Sequence, residues 1–185
     1  VDACKKAEEN LPRFSIRISM EGGNYCYPLT ILDDHARFSL AIAPRLSTKN
    51  VVIPTFLEVF RQYSLPKSIL SGNGAQFSGF KQSCTQFERL LMELDILPIH
   101  GRMKHPQTQG KIERFHRTMN QELLKHVTMH DIDDACEQFR LWRQKYNNVR
   151  PHEALGMKTP AEVYIPSDRQ LPEKSSRGST AESTR

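Results

Sequence analysis

The chain has 185 residues, 38% of them hydrophobic, with a formal net charge of +5 and a pI of about 9.1. That is the size of one ordinary domain with a tail, and enough apolar content for a core. No run approaches the roughly eighteen apolar residues of a membrane span and no signal-peptide pattern opens the chain, so no membrane partner and a soluble, cytoplasmic protein are expected. Cys4, Cys26, Cys84 and Cys136 are scattered without a Cys-x-x-Cys pair. Their simplest role is as small apolar residues or free thiols, not as a zinc site or disulfide framework.

From Arg13 to Ser19 the chain alternates, with Phe14, Ile16 and Ile18 apolar, the period of a half-buried strand. Glu21-Gly22-Gly23-Asn24 is a hairpin signal. Tyr25 to Leu32 reads as a second strand, and Phe38 to Ala43 as a third after the polar corner Asp33-Asp34-His35. Short turns between sequential strands make an antiparallel meander. The period then becomes helical. Ser47 or Thr48 can cap a helix that carries Val52, Phe56, Val59, Phe60 and Tyr63 inward. Pro54 is expected to disturb it, and Leu65-Pro66 to end it.

Ser68 to Ser71 is a short apolar strand. Phe87, Leu90, Leu91 and Leu94 mark the next helix, and Leu97 to His100 another short strand. After a turn-forming run, His105-Pro106-Gln107-Thr108-Gln109, a helix is predicted from Gly110 to about His126, with Ile112, Phe115, Met119 and Leu123 inward. Ile132, Ala135, Phe139, Trp142 and Tyr146 line one face of a last helix. The order βββαβαβα is mixed α/β. From Ser167 apolar residues almost vanish, and the predicted organisation is an unrelated N-terminal segment (1–12), one domain (13–166) and a disordered tail (167–185).

Charge concentrates in two places. Between Gly101 and Thr118 stand Arg102, Lys104, Lys111, Arg114 and Arg117, with Glu113 the only acid; Arg140, Arg143, Lys145 and Arg150 form a second group. Such clusters suit a phosphate-tracking surface, although a solvated basic face fits each residue equally well. A carboxylate in a basic field suits Mg²⁺ beside a phosphodiester, because Mg²⁺ is held by one or two carboxylates together with phosphate oxygens. On helix physics alone, Glu113 and Arg117 at i and i+4 make a solvated ion pair.

Three blocks carry a resemblance. They are Tyr25-Cys26-Tyr27-Pro28-Leu29-Thr30-Ile31-Leu32-Asp33-Asp34-His35-Ala36-Arg37-Phe38 with Tyr63-Ser64-Leu65-Pro66-Lys67; His105 through Thr118; and Tyr146-Asn147-Asn148-Val149-Arg150-Pro151-His152-Glu153-Ala154-Leu155-Gly156. Together, over roughly Glu21 to Pro166, the chain resembles the integrase-type catalytic core of bacterial insertion-sequence transposases of the DDE superfamily. The resemblance implies a ribonuclease H-like fold, in which the meander is extended by βα units into a mixed sheet flanked by helices. It also implies a bacterial, DNA-binding protein involved in DNA integration (transposition) that works as an oligomer, and three carboxylates that hold two Mg²⁺ (or Mn²⁺) ions.

Matched to that pattern, Glu113 is the third acid. The second belongs in the block Ile69-Leu70-Ser71-Gly72-Asn73-Gly74-Ala75-Gln76-Phe77, where Gly72 stands in place of aspartate. Asn73 and Gln76 carry no negative charge and do not replace it; read without the family, the block is a Gly-Asn-Gly turn. The first acid, counted back from Glu21-Gly22-Gly23, falls at or near Arg13 and is also lost. Val1 to Pro12 does not match, nor does a helix-turn-helix region precede the core. Asp33 and Asp34 are assigned to capping their turn rather than to rescue. The resemblance then describes a truncated or degenerate transposase, inactive or strongly impaired, because one member of a catalytic unit is worth nearly the whole.

Lys104, His105, Lys111, Arg114, Arg117 and Arg150 are the expected DNA contacts, fixing a duplex through phosphates without reading its sequence. For Arg150 and His152, packing of the C-terminal segment explains the residues as well as DNA does. The competing functions are a non-catalytic nucleic-acid binder that inhibits an intact relative through mixed oligomers, and a basic remnant with no partner.

Overall fold

The computed structural model describes residues 17–46, 51–72, 74, 77, 84–100 and 106–172, with backbone alone over 106–109. Strands β1 (Ile18–Ser19) and β2 (Tyr25–Cys26) form an antiparallel pair around the predicted Glu21–Gly23 hairpin. Gly22 and Gly23 both have positive φ, 75° and 78°, which explains the glycine pair at this turn. Residues 13–16 of the predicted first strand lie outside the described residues.

The single strand expected over Tyr25 to Leu32 is two. Pro28, with no N–H to give a ladder, separates β2 from β3 (Leu29–Leu32). The amide of Tyr27 leaves the ladder and donates to the Arg45 carbonyl at 2.7 Å. Strand β3 pairs antiparallel with β4 (Ser39–Ala43), and the corner between them is closed by Asp33, whose Oδ1 accepts the Ala36 amide at 2.6 Å. Turn capping is thus what Asp33 does.

Helix α1 (Val52–Tyr63) begins later than Ser47 or Thr48, which lie outside the described residues; Val51 is its N-cap. Pro54 therefore sits in the first turn, where no intrahelical partner awaits its missing N–H, and the expected disturbance does not arise. Ser64, at φ 67°, ends the helix ahead of Pro66. Strand β5 (Ser68–Ser71), helix α2 (Gln86–Glu93) and strand β6 (Leu97–His100) follow as predicted, with β5 and β6 parallel and Ser71 level with His100. A reciprocal cap starts α2. The Thr85 hydroxyl accepts the Glu88 amide at 3.1 Å, and the Glu88 carboxylate accepts the Thr85 amide at 2.7 Å.

Helix α3 (Pro106–Met119) starts at the proline, not after it. The run read as a turn is the helix's first turn, for which proline's fixed φ is suited. At Asn120–Leu124 the helix widens into a π turn. Helix α4 (Ile132–Asn148) is capped by Asp131, whose side chain accepts the Asp134 amide at 2.8 Å. A short helix α5 (Pro160–Val163) closes the described chain. Its neighbour Tyr164 stacks on Phe38 at 4.4 Å between ring centroids and meets Tyr63 edge-on.

Two apolar clusters form the interior. One joins Ile18, Met20 and Cys26 to Phe115, Met119 and Leu123, and to Ala135, Phe139, Trp142 and Tyr146 of α4. The other joins Val52, Phe56 and Phe60 of α1 to Phe87 and Leu91 of α2 and to Leu65 and Ile96. The segment expected to be disordered from Ser167 is held at its start. Arg169 donates to the carbonyls of Pro66, Leu94 and Asp95 at 3.0, 2.8 and 2.8 Å, and its own carbonyl accepts the Leu65 amide. Residues 173–185 of that segment lie outside the described residues.

One polar clamp crosses the first cluster. Asn147 of α4 is buried, and its side chain accepts the Ser39 amide at 2.8 Å and donates to the Ser39 carbonyl at 3.0 Å. Replacing Asn147 with leucine orphans a buried N–H and a buried C=O together. A loss of about 2–5 kcal/mol in urea unfolding is expected; a loss below about 0.5 kcal/mol would show that the clamp contributes nothing.

Candidate active site

The ends of β5 and β6 form one side of the site. Parallel pairing sets Ser71 and His100, the last residues of their strands, side by side. The Ser71 hydroxyl lies 3.3 Å from Nδ1 of His100, and Nε2 of the same ring lies 2.8 Å from a carboxylate oxygen of Glu88. Gly72 follows directly. Among the described residues, a Cβ placed there meets nothing within 4 Å, and Gly72 is not among the positive-φ glycines, so its backbone demands no glycine. An acid would fit at this position; the residue present offers no ligand.

Helix α3 supplies the other side. Phe115 and Met119 are buried, which turns Glu113, Arg114 and Arg117 to solvent. No cation among the described residues lies within ion-pair distance of the Glu113 carboxylate, so the expected i,i+4 pair with Arg117 is not formed. Lys111 reaches across to the corner between β3 and β4, where its Nζ lies 2.5 Å from Asp34 Oδ2 and 3.2 Å from the Asp34 carbonyl. Asp34 therefore touches the helix that carries Glu113 across exposed surface. Behind Lys111, the ring of His116 turns inward and meets the Thr30 hydroxyl of β3 at 2.8 Å. Burial pushes its pKa down to about 4.

Three of the four residues of the second basic group have partners within the chain. Arg140 pairs with Glu137, Arg143 donates to the Leu40 carbonyl, and Arg150 pairs with Glu122. Glu122 sits on the π turn and also accepts the Trp142 indole N–H at 3.2 Å. His152 packs edge-on against Tyr146 and its amide bonds the Lys158 carbonyl. In the Arg-Pro-His-Glu-Ala-Leu-Gly block, packing thus accounts for both Arg150 and His152. Arg13, Lys104 and His105 lie outside the described residues.

Among the described residues there is no group of three His, Cys, Asp or Glu side chains placed to hold a metal ion. Residue 72 gives Glu113 no second carboxylate, and the described residues alone do not supply the donor set for a pair of magnesium ions. Sequence reasoning missed the Ser71–His100–Glu88 contact. Its one sequence signal was Thr85-x-x-Glu88, the pattern of a reciprocal helix cap, which fixes the carboxylate; the bond to His100 depends on α2 packing against β6, and the Ser71 contact on the pairing of β5 with β6.

Residues 94–160 match the family described as Integrase core domain. The chain is 26% identical over 137 residues to an uncharacterized 39.2 kDa protein of insertion element IS476 from Xanthomonas euvesicatoria, covering 72% of this chain and 38% of that protein. It is 30% identical over 131 residues to the Pol polyprotein of equine infectious anemia virus (strain Wyoming), covering 70% of this chain and 11% of the polyprotein. The chain thus spans well under half the length of these relatives. The structure of the HTLV-2 integrase catalytic core domain in complex with magnesium superposes with a TM-score of 0.60 at 15% identity, covering 82% of this chain and 92% of that one. The fold is therefore the ribonuclease H-like fold of integrase catalytic cores, and the chain carries a DDE integrase-type core. No helix among the described residues is long and apolar enough to cross a membrane.

The burial of His116 sets a pH dependence. Its folded pKa of about 4 lies below the usual 6.5, so the unfolded chain binds the proton more tightly. Stability is complete above pH 6.5 and falls as pH drops toward 4, by at most about 3 kcal/mol from this residue. Chemical unfolding of the wild type and His116→Gln between pH 7 and 4 should show a shallower decline in the variant. Parallel declines would remove His116 as the cause.

Proposed function

We propose that this integrase-type core serves DNA integration as part of a transposase, binds duplex DNA, and is inactive or strongly impaired in strand transfer. One observation carries the reading: the end of β5, where the resemblance requires the second acid, is occupied by a glycine in open space. Glu113 is then the retained third acid, and the first acid is lost at Arg13. Two Mg²⁺ or Mn²⁺ ions need more negative charge than one carboxylate supplies. The core spans 13–166 and works in the bacterial cytoplasm.

DNA contact outlives the chemistry. Arg114 and Arg117 are exposed beside Glu113, and with Lys104, His105 and Lys111 they make the phosphate-binding set. Arg150 joins the set; like Lys111, which pairs with Asp34, it also holds an acid of the chain, Glu122. A chain with the fold and without the acids can also enter mixed oligomers with an intact transposase and inhibit it, besides associating with itself.

Three measurements test this. In 3′-end joining with Mg²⁺ or Mn²⁺ on matching transposon ends, no product above background is expected, and Gly72→Asp alone does not restore it. Because position 72 has room, Gly72→Asp should fold with stability within about 0.5 kcal/mol of the wild type. Robust joining by the wild type, abolished in Glu113→Gln, would overturn the loss of chemistry.

For binding, log affinity for duplex DNA should fall with log salt. The double variant Arg114→Ala, Arg117→Ala should reduce the slope by about 1.8. A flat salt dependence in the wild type would leave the chain without DNA as a partner.

A further inference from the structure

We propose that Ser71, His100 and Glu88 form a proton relay that makes the Ser71 hydroxyl a metal-independent nucleophile toward electrophilic phosphorus. The hydrogen bonds fix their own direction. One oxygen of Glu88 accepts the Thr85 amide at 2.7 Å, which favours the carboxylate form; this bond is the main reason the Glu88 pKa lies below the usual range. An ionised Glu88 can only accept, so the proton shared with His100 at 2.8 Å belongs to Nε2. Nδ1 then carries the lone pair, and the Ser71 hydroxyl, 3.3 Å away, donates to it. A nucleophile, a base and a carboxylate orienting that base stand in one chain, each in hydrogen-bond reach or slightly beyond.

The fold holds this arrangement rigidly and leaves it open. Ser71 and His100 share a register position at the ends of two parallel strands, where open α/β sheets take their ligands. The Glu88 side chain is only 12% exposed and locked by the cap of α2, while the His100 ring is 31% exposed. The empty space at Gly72 adjoins the hydroxyl in sequence. The chain's net charge of +5 favours anionic phosphate esters over neutral ones. In the step itself, Ser71 Oγ forms the bond to phosphorus, the leaving-group bond breaks with its electron pair, and the hydroxyl proton passes to His100 Nδ1. That proton then goes to the leaving group or to water.

The experiment uses a fluorophosphonate probe on the whole chain with EDTA present, read by intact mass and peptide mapping. One adduct per chain is expected, on Ser71, formed with loss of fluoride. Ser71→Ala should give no adduct. His100→Gln should react about a hundredfold more slowly, the usual worth of a positioned base. Arg140→Ala, on the exposed face of α4 and outside the relay, should react at the wild-type rate. Circular dichroism of Ser71→Ala and His100→Gln should match the wild type, which separates the relay from simple loss of folding. No adduct, an adduct elsewhere, or a folded His100→Gln variant that reacts as fast as the wild type would overturn the proposal.

Discussion

The site depends on how firmly α4 is tied to β4. Asn147 satisfies both backbone groups of Ser39 inside the first apolar cluster, and Arg143, one turn earlier, bonds the Leu40 carbonyl. These bonds set the position of α4 along the strand. The aromatic face of α4 then positions α3. Phe115 packs edge-on against Trp142 at 5.4 Å and against Tyr146 at 4.9 Å. With Phe115 fixed, helical spacing decides the rest: Glu113, Arg114 and Arg117 must face solvent, and His116 must turn toward β3. The exposed charge of the candidate site therefore follows from a buried amide and three rings on the other side of the same helices.

The two ends of α3 are held differently. Near its start, Lys111 pairs with Asp34 across exposed surface, a contact of small energetic worth by itself. Further along, Met119 is fully buried and the π turn presents Glu122 to both Trp142 and Arg150. Wide turns of this kind re-aim side chains that a regular helix would place elsewhere. Here the turn presents Glu122 to Arg150, and the pair links the segment after α4 to the end of α3. Arg140, Arg143 and Arg150 look like part of a basic patch, and each has a partner within the chain.

What was legible in the sequence was periodicity. Ser68–Ser71, Leu97–His100 and the inward face of α4 were readable because burial acts on alternate residues in strands and on every third or fourth in helices. The boundaries that failed were set by proline. Pro28 split one predicted strand into β2 and β3, Pro54 was harmless because α1 starts late, and Pro106 opened a helix where a turn was expected. In each case the residue acts through its missing N–H, and what that costs depends on a hydrogen-bond partner the sequence does not reveal. Glu113 and Gly72 were singled out by resemblance alone, whereas the Ser71–His100–Glu88 contact gave no such signal. It joins residues 29 and 12 positions apart: the parallel register of β5 and β6 brings Ser71 to His100, and the packing of α2 on β6 brings Glu88.

The open space at Gly72 bears on how an acid could be lost without loss of fold. Its φ is not in the left-handed region, and an added Cβ touches nothing, so neither strain nor packing selects glycine here. The same absence of contacts means that an aspartate at this position would contribute nothing to packing. Among the described residues, glycine there leaves no cavity and no orphaned partner, the two usual routes to large destabilisation. A carboxylate placed only to meet a metal also carries the repulsion of its fellow acids when the metal is away, so losing it relieves the fold rather than burdening it. Fold and chemistry are therefore separable at this end of the sheet. The apolar clusters and the Asn147 clamp hold an integrase-type core together without any contact from residue 72 among the described residues.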